Sequence, residues 1–313
     1  MSRGYELDER DDQGGQAPEA SQPTGGPRQI EGRVSGGGGS PRNRQRQRST
    51  DSDDRFPDTR ATGRREVRAL GRRYELSVRE RDALRDIGRF RTIATDDLLK
   101  HRYGGMASSM RQVLTRLQQL GLLKRRSISV GKHRDTLTVV ALTEQGAGLV
   151  RQDEQLPEDQ AVYAGFVKPA EVPHDAAIYA MYRAEAAQIE GRGAKVRRVV
   201  LDYELKKDIY SRLGRNRDAG ALEHARRQKE LAAEHHLPIV DGKIALPDLR
   251  IEYETPEGDL ERVDLELATE HYHRGHMESK ARAGFKLYGF VSTSRGRRAQ
   301  WEGRELTASV LSL

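Results

Sequence analysis

Several carboxylates in this chain fall where a divalent cation could be held. Asp248 follows Pro247 at the start of a predicted strand, and Asp264 and Glu266 alternate along the next one, so they share a face. Glu185 sits on a predicted helix upstream, and Glu204 follows the first predicted strand of the same region. Two or three carboxylates meeting at a sheet edge offer the oxygen ligands that Mg²⁺ prefers. A cation held there would activate water and stabilise a phosphorane-like transition state. The opposing reading is a degenerate core whose acids are surface and turn residues.

Histidines form a second group. His271 and His273, flanked by Glu270 and followed by His276, have a His-x-His spacing that can chelate a transition metal, and His273 could serve as a general base. A polar connection between a strand and its helix explains them as well. His235 and His236 are neighbours on a predicted helix and point in different directions. His174 is expected to cap or pack at a helix start. The glycines at 36–39 have no Gly-Lys-Ser/Thr after them and follow no strand, so no nucleotide loop is expected. No serine nucleophile elbow and no dinucleotide site is found.

A third group is polar and basic. Ser108, Ser109, Arg111, Gln112, Thr115 and Arg116 lie on one side of a predicted helix over 107–119, whose other side carries Met110, Val113, Leu114 and Leu117. Arginine reads guanine edges and glutamine reads adenine, so this face suits the major groove of double-stranded DNA. Two helices precede it. One begins at Ser77 with a capping box to Glu80, and the other covers 95–101 with Asp96 and Asp97 in its first turn. Two strands follow, over 122–128 and 137–142. Lys132, His133 and Arg134 stand at the tip between them, within reach of phosphate or the minor groove. The whole reads as a winged helix-turn-helix over 73–155. A protein-contact role, with the same charges as a solvated face, is the alternative.

The remaining elements must position the acids. Residues 152–160 read as a polar linker, and a mixed α/β domain is expected over 156–313. Its predicted order is a helix at 174–189, a strand at 196–201, charged helices at 205–215 and 222–236, and a hairpin through Asp241-Gly242. Strands at 249–253 and 261–267, a helix at 279–288 and a short strand at 289–292 complete it. Residues 1–72 hold few large apolar side chains and alternate acidic with basic blocks, so they are expected to be disordered.

The 313 residues carry a net charge of +7 with 35% hydrophobic side chains, a balance that allows two modest domains and suits a nucleic-acid partner. There are no cysteines, which excludes disulfides, zinc fingers, iron–sulfur clusters and thiol nucleophiles. No apolar run is long enough for a membrane span, and no signal-peptide core is present, so a cytoplasmic location is expected.

Pro247-Asp248 followed by Glu266-Leu267-Ala268 resembles the PD-(D/E)xK nuclease fold. That resemblance implies a lysine two residues after the second acid; Ala268 stands there, so Lys280 or Lys286 would have to substitute for it in space, and losing one preorganised cation costs roughly a few kcal/mol of transition-state stabilisation. Taken with Leu142-Thr143-Glu144-Gln145-Gly146, His174-Asp175 and the run from Val263 to Glu270, the chain over 76–290 resembles the replication-relaxation family of mobile-element proteins. That resemblance implies a winged helix coupled to a restriction-endonuclease-like α/β domain. It further implies double-stranded DNA as partner and a role in plasmid or integrative-element replication, transfer or regulation. An active version would use Asp248, Glu266 and Lys280 with Mg²⁺. A scaffold contacting a relaxase or replication initiator is a third reading, and a homodimer is compatible with each.

Overall fold

The computed structural model describes residues 63–130, 135–214, 220–268, 274–290 and 303–307. The proposed wing tip of Lys132, His133 and Arg134 lies outside them, as do Glu270, His271, His273, the side chain of His276, Trp301 and the sequence up to residue 62.

The described chain begins earlier than composition suggested. Strands β1 (Arg64–Ala69) and β2 (Arg72–Ser77) pair as an antiparallel hairpin, although disorder was expected through residue 72. Ala69, Tyr74 and Leu76 are buried from it, a short alternation hidden among arginines. Helix α1 (Val78–Gly88) then starts at Ser77, whose hydroxyl accepts the Glu80 N–H while the Glu80 carboxylate accepts the Ser77 N–H. The capping box read from sequence is therefore formed.

Strand β3 (Ile93–Ala94), helix α2 (Thr95–His101) and helix α3 (Ala107–Gln119) follow. Val113, Leu114 and Leu117 bury the apolar stripe of α3. Strands β4 (Leu123–Val130) and β5 (Asp135–Leu142) complete an antiparallel sheet in the order β3-β5-β4. Helix α4 (Glu144–Val150) was not expected. The Thr143 hydroxyl accepts the Gly146 N–H at 3.1 Å and donates to the Gly121 carbonyl at 2.6 Å, so Thr143 caps α4 and ties it to the end of α3. A Cβ on Gly146 would lie 2.1 Å from the Leu122 carbonyl oxygen, which explains glycine there.

The second half is mixed α/β. Helix α5 (Val172–Gly191) leads to β6 (Lys195–Leu201), followed by α6 (Asp202–Gly214) and α7 (Ala221–Glu234). A small hairpin, β7 (Ile239–Val240) and β8 (Lys243–Ile244), turns through Asp241 and Gly242 with φ of 48° and 73°. This is the left-handed pair that a tight Asp-Gly turn needs. Strands β9 (Leu249–Glu254) and β10 (Leu260–Ala268), helix α8 (Arg274–Arg282), β11 (Lys286–Phe290) and β12 (Gly303–Glu305) complete the order. The sheet runs β12-β11-β10-β9-β6. Strands β6, β9 and β10 are antiparallel neighbours, and β11 returns through α8 parallel to β10.

The helix expected over 279–288 is displaced. α8 ends at Arg282, Gly284 takes a φ of +84°, and residues 286–290 form a strand. Leu287 and Tyr288 are buried, and sheet pairing outweighs the helical spacing read from the sequence.

Residues 152–160 are not a free tether. The Gln160 amide oxygen accepts the Val199 N–H and its nitrogen donates to the Val199 carbonyl, each at 2.9 Å. The side chain thus stands in for a neighbouring strand on the edge strand β6. The Tyr163 N–H donates to the Gly88 carbonyl and the Gly165 N–H to the Leu142 carbonyl. Phe90 meets Tyr179 and Tyr182 of α5 with ring centroids 5.1 Å apart in both cases. One hydrophobic core runs from Leu76 through these rings to Leu267 and Tyr288. Among the described residues no helix is long and apolar enough to cross a membrane.

Candidate functional site

The antiparallel register of β9 and β10 pairs Leu249 with Leu265 and Arg250 with Asp264. Leu249, Ile251, Leu265 and Leu267 belong to the same core as Ile178, Met181 and Tyr182 of α5. By alternation, Asp248, Arg250, Asp264 and Glu266 share the opposite face. Asp248 and Glu266 are thus brought to one strand end, as the sequence required, and the Leu267 N–H donates to Asp248 Oδ2 at 2.9 Å.

Asp264 is diverted from that end. Arg250, only 4% exposed, grips it with Nε at 2.7 Å and Nη2 at 2.9 Å, and also donates to the carbonyls of His235 and His236 after α7. This buried fork fastens the α6–α7 excursion to the sheet. His235 leans back on Asp208 of α6 at 2.8 Å, a contact that joins the end of α7 to α6.

The structure distinguishes the two candidate lysines. Lys280 Nζ lies 2.9 Å from Glu266 Oε1 and 2.7 Å from the Leu246 carbonyl. Lys286 instead projects to the α5 face and meets both oxygens of Glu185 at 2.9 and 3.1 Å, where the Tyr288 hydroxyl also donates at 2.7 Å. The buried Glu185 and the half-buried Lys286 therefore pair on the far side of the sheet from Asp248. Glu204 accepts from the Tyr163 hydroxyl at 2.7 Å and from the Leu201 N–H at 3.3 Å, so it fastens the start of α6.

His174, inside the first turn of α5, does not cap the helix, whose N-cap position is Glu171; its ring instead meets two carboxylates. Its Nε2 lies 3.6 Å from Asp248 Oδ1 and its Nδ1 lies 3.5 Å from Asp175 Oδ1. Burial works against charging this ring, but its contacts with Asp175 and Asp248 prevail and push its pKa up to about 10. His174 is therefore a cation at neutral pH. Burial likewise tends to raise the Asp248 pKa, but His174, the Leu267 N–H and Lys280 outweigh it and hold the carboxyl below its ordinary value. Arg91, beyond Asp175 at 3.4 Å, carries the chain of alternating charges back to the turn after α1.

These contacts answer whether Mg²⁺ fits. Asp248 spends one oxygen on His174 and the other on a backbone N–H, while Glu266 meets Lys280. Among the described residues no group of three or more His, Asp or Glu side chains is arranged to hold a metal ion. Two carboxylates already matched by two cations do not make a formed divalent-cation site.

On α3, Ser108, Arg111, Gln112 and Thr115 are exposed, and Ser109 is half-buried. Arg116 is half-buried, and its Nε lies 3.2 Å from Glu80 Oε1, tying α3 to the capping box of α1. The exposed basic side chains Lys124, Arg125 and Arg126 of β4, beside the C-terminal end of α3, were not singled out from the sequence. They look unremarkable in a chain so rich in arginine, and only the fold sets them together. Comparison of the chain with protein-family models, with curated sequences and with solved structures finds no match.

Proposed function

We propose that this chain binds double-stranded DNA through a winged helix-turn-helix formed by α1, α2, α3 and the β4–β5 hairpin, with α3 in the major groove. One observation carries the reading. α3 turns Ser108, Arg111, Gln112 and Thr115 to solvent on a helix whose opposite side is locked by Val113, Leu114 and Leu117. Those side chains can hydrogen-bond base edges, and the helix is held rigidly enough to present them. The resemblance to replication-relaxation proteins supports a setting in replication, transfer or regulation of a plasmid or integrative element. In this reading the α/β half is a restriction-endonuclease-like support whose acids are neutralised internally. Selection of bound sequences from a random duplex pool tests it. Arg111→Ala should then cost about 1–3 kcal/mol on the selected site and relax preference at one base pair. Equal binding by the variant and the parent would remove α3 as the reading helix.

A second reading, a DNA nuclease, is favoured by the convergence of Asp248, Glu266 and Lys280 at one strand end in an α-β-β-β-α-β order. Supercoiled plasmid incubated with Mg²⁺, Mn²⁺ or EDTA decides between them. Nicking that needs metal and vanishes in both Asp248→Ala and Glu266→Ala would make this reading the first. A mobility shift that is equal in EDTA supports binding without cleavage.

A further inference from the structure

Beside α3 lies a groove of about 710 Å³ whose lining includes Arg72 of the β1–β2 hairpin, Gln118 at the end of α3, and Lys124, Arg125 and Arg126 of β4. Among the described residues no carboxylate lines it. The four cations are exposed, and none is in an ion pair with another described residue. Elsewhere arginines are commonly matched to acids, as in Arg68 with Glu66, Arg198 with Glu204 and Arg212 with Glu234. A concave surface with four unmatched positive charges concentrates anions, because nothing within it offsets their field.

We propose that this groove carries the phosphate backbone of the duplex beyond the base pairs facing α3, so that the β1–β2 hairpin and β4 act as a backbone clamp. The proposal rests on the DNA-binding reading above and extends its footprint. Gln118 lies seven residues after Arg111 and three after Thr115, on the same helical stripe, so the groove continues the proposed reading face at its C-terminal end. A duplex suits it better than a single strand. Single-strand channels offer free aromatic faces for bases. Among the described residues the one aromatic in the lining, Phe166, packs on the cluster around Val139 and Val167 and is covered by the Arg126 guanidinium at 4.8 Å. Cations placed without base readout give affinity that depends on salt and not on sequence.

The test uses the full chain with Arg72→Gln, Lys124→Gln and Arg125→Gln combined, leaving Arg126 on Phe166. Binding to a random-sequence duplex and to oligo-dT is followed by anisotropy at rising NaCl. The clamp predicts duplex affinity lower by roughly 10- to 100-fold at low salt, and a log–log salt slope smaller by about 2–3. The loss should be the same on any duplex sequence. An unchanged slope, or a loss confined to oligo-dT, overturns the clamp while leaving α3 in place. If the parent protein binds no duplex, the DNA-binding reading itself fails. Should the triple variant melt at a lower temperature than the parent, Lys124→Gln and Arg125→Gln taken singly keep the test, each lowering the slope by about one.

Discussion

Asp97 sits in the first turn of α2 with 4% of its surface exposed, and its Oδ2 has no hydrogen-bond partner among the described residues. Burial first, and the neighbouring Asp96 second, push its pKa up from 3.8 to about 7, against a smaller pull from Lys100. In the unfolded chain the carboxyl returns to about 3.9. Folding therefore takes up a proton between those two values. The carboxyl costs nothing in charge below about pH 4, costs progressively more as pH rises, and reaches its full cost above about pH 7. A shift of about three units corresponds to a ceiling of roughly 4 kcal/mol, and relaxation with water entry reduces what a variant recovers to about 1–3 kcal/mol. Asp97→Asn keeps the shape and cannot ionise. Urea unfolding of both proteins across mildly acidic to mildly basic pH should show the variant more stable at the basic end, with the advantage shrinking toward acid. Other titrations, including that of His174, are common to both proteins and cancel in the difference. A difference that does not change with pH, or that grows toward acid, would refute the argument.

Other substitutions probe the packing that positions the site. Gly146→Ala drives a methyl against the Leu122 carbonyl and should destabilise by about 2–4 kcal/mol, measured as a lower unfolding midpoint. Gln160→Ala strands the N–H and carbonyl of Val199 and should cost about 2–4 kcal/mol, with faster hydrogen exchange at Val199. Lys286→Met leaves Glu185, which is 1% exposed, without its cation and should cost about 3–5 kcal/mol, whereas Lys286→Arg should recover much of the loss. Arg116→Met should lower stability by about 1 kcal/mol through the lost contact with Glu80, measured as a lower unfolding midpoint.

Local order was legible wherever a few adjacent residues decide it. Ser77 with Glu80 announced α1, the apolar stripe of Val113, Leu114 and Leu117 announced α3, and Asp241-Gly242 announced a hairpin. Period-two alternation placed β9 and β10, and with them put Asp248 and Glu266 on one face. These signals work because capping, turn geometry and amphipathic spacing are short-range physics. The same short range explains the failures. Residues 286–288 are compatible with a helix, and only β10 on one side and β12 on the other make them a strand. Arg64 to Arg72 looked like part of a polar tail until pairing with the strand that carries Tyr74 and Leu76 into the core made them half of a hairpin.

The sequence determined which residue types were available for chemistry and which shared an element. Tertiary structure decided their partners. It gave Lys280 to Glu266 and Lys286 to Glu185, turned His174 onto Asp248, and took Asp264 away to Arg250. Each of these contacts joins side chains from different elements or opposed strands, and charge pairing acts through space over a few ångströms, irrespective of separation along the chain. The groove of Arg72, Lys124, Arg125 and Arg126 arose the same way, since its cations gain meaning only once folding brings two hairpins and the end of α3 together with no described acid between them.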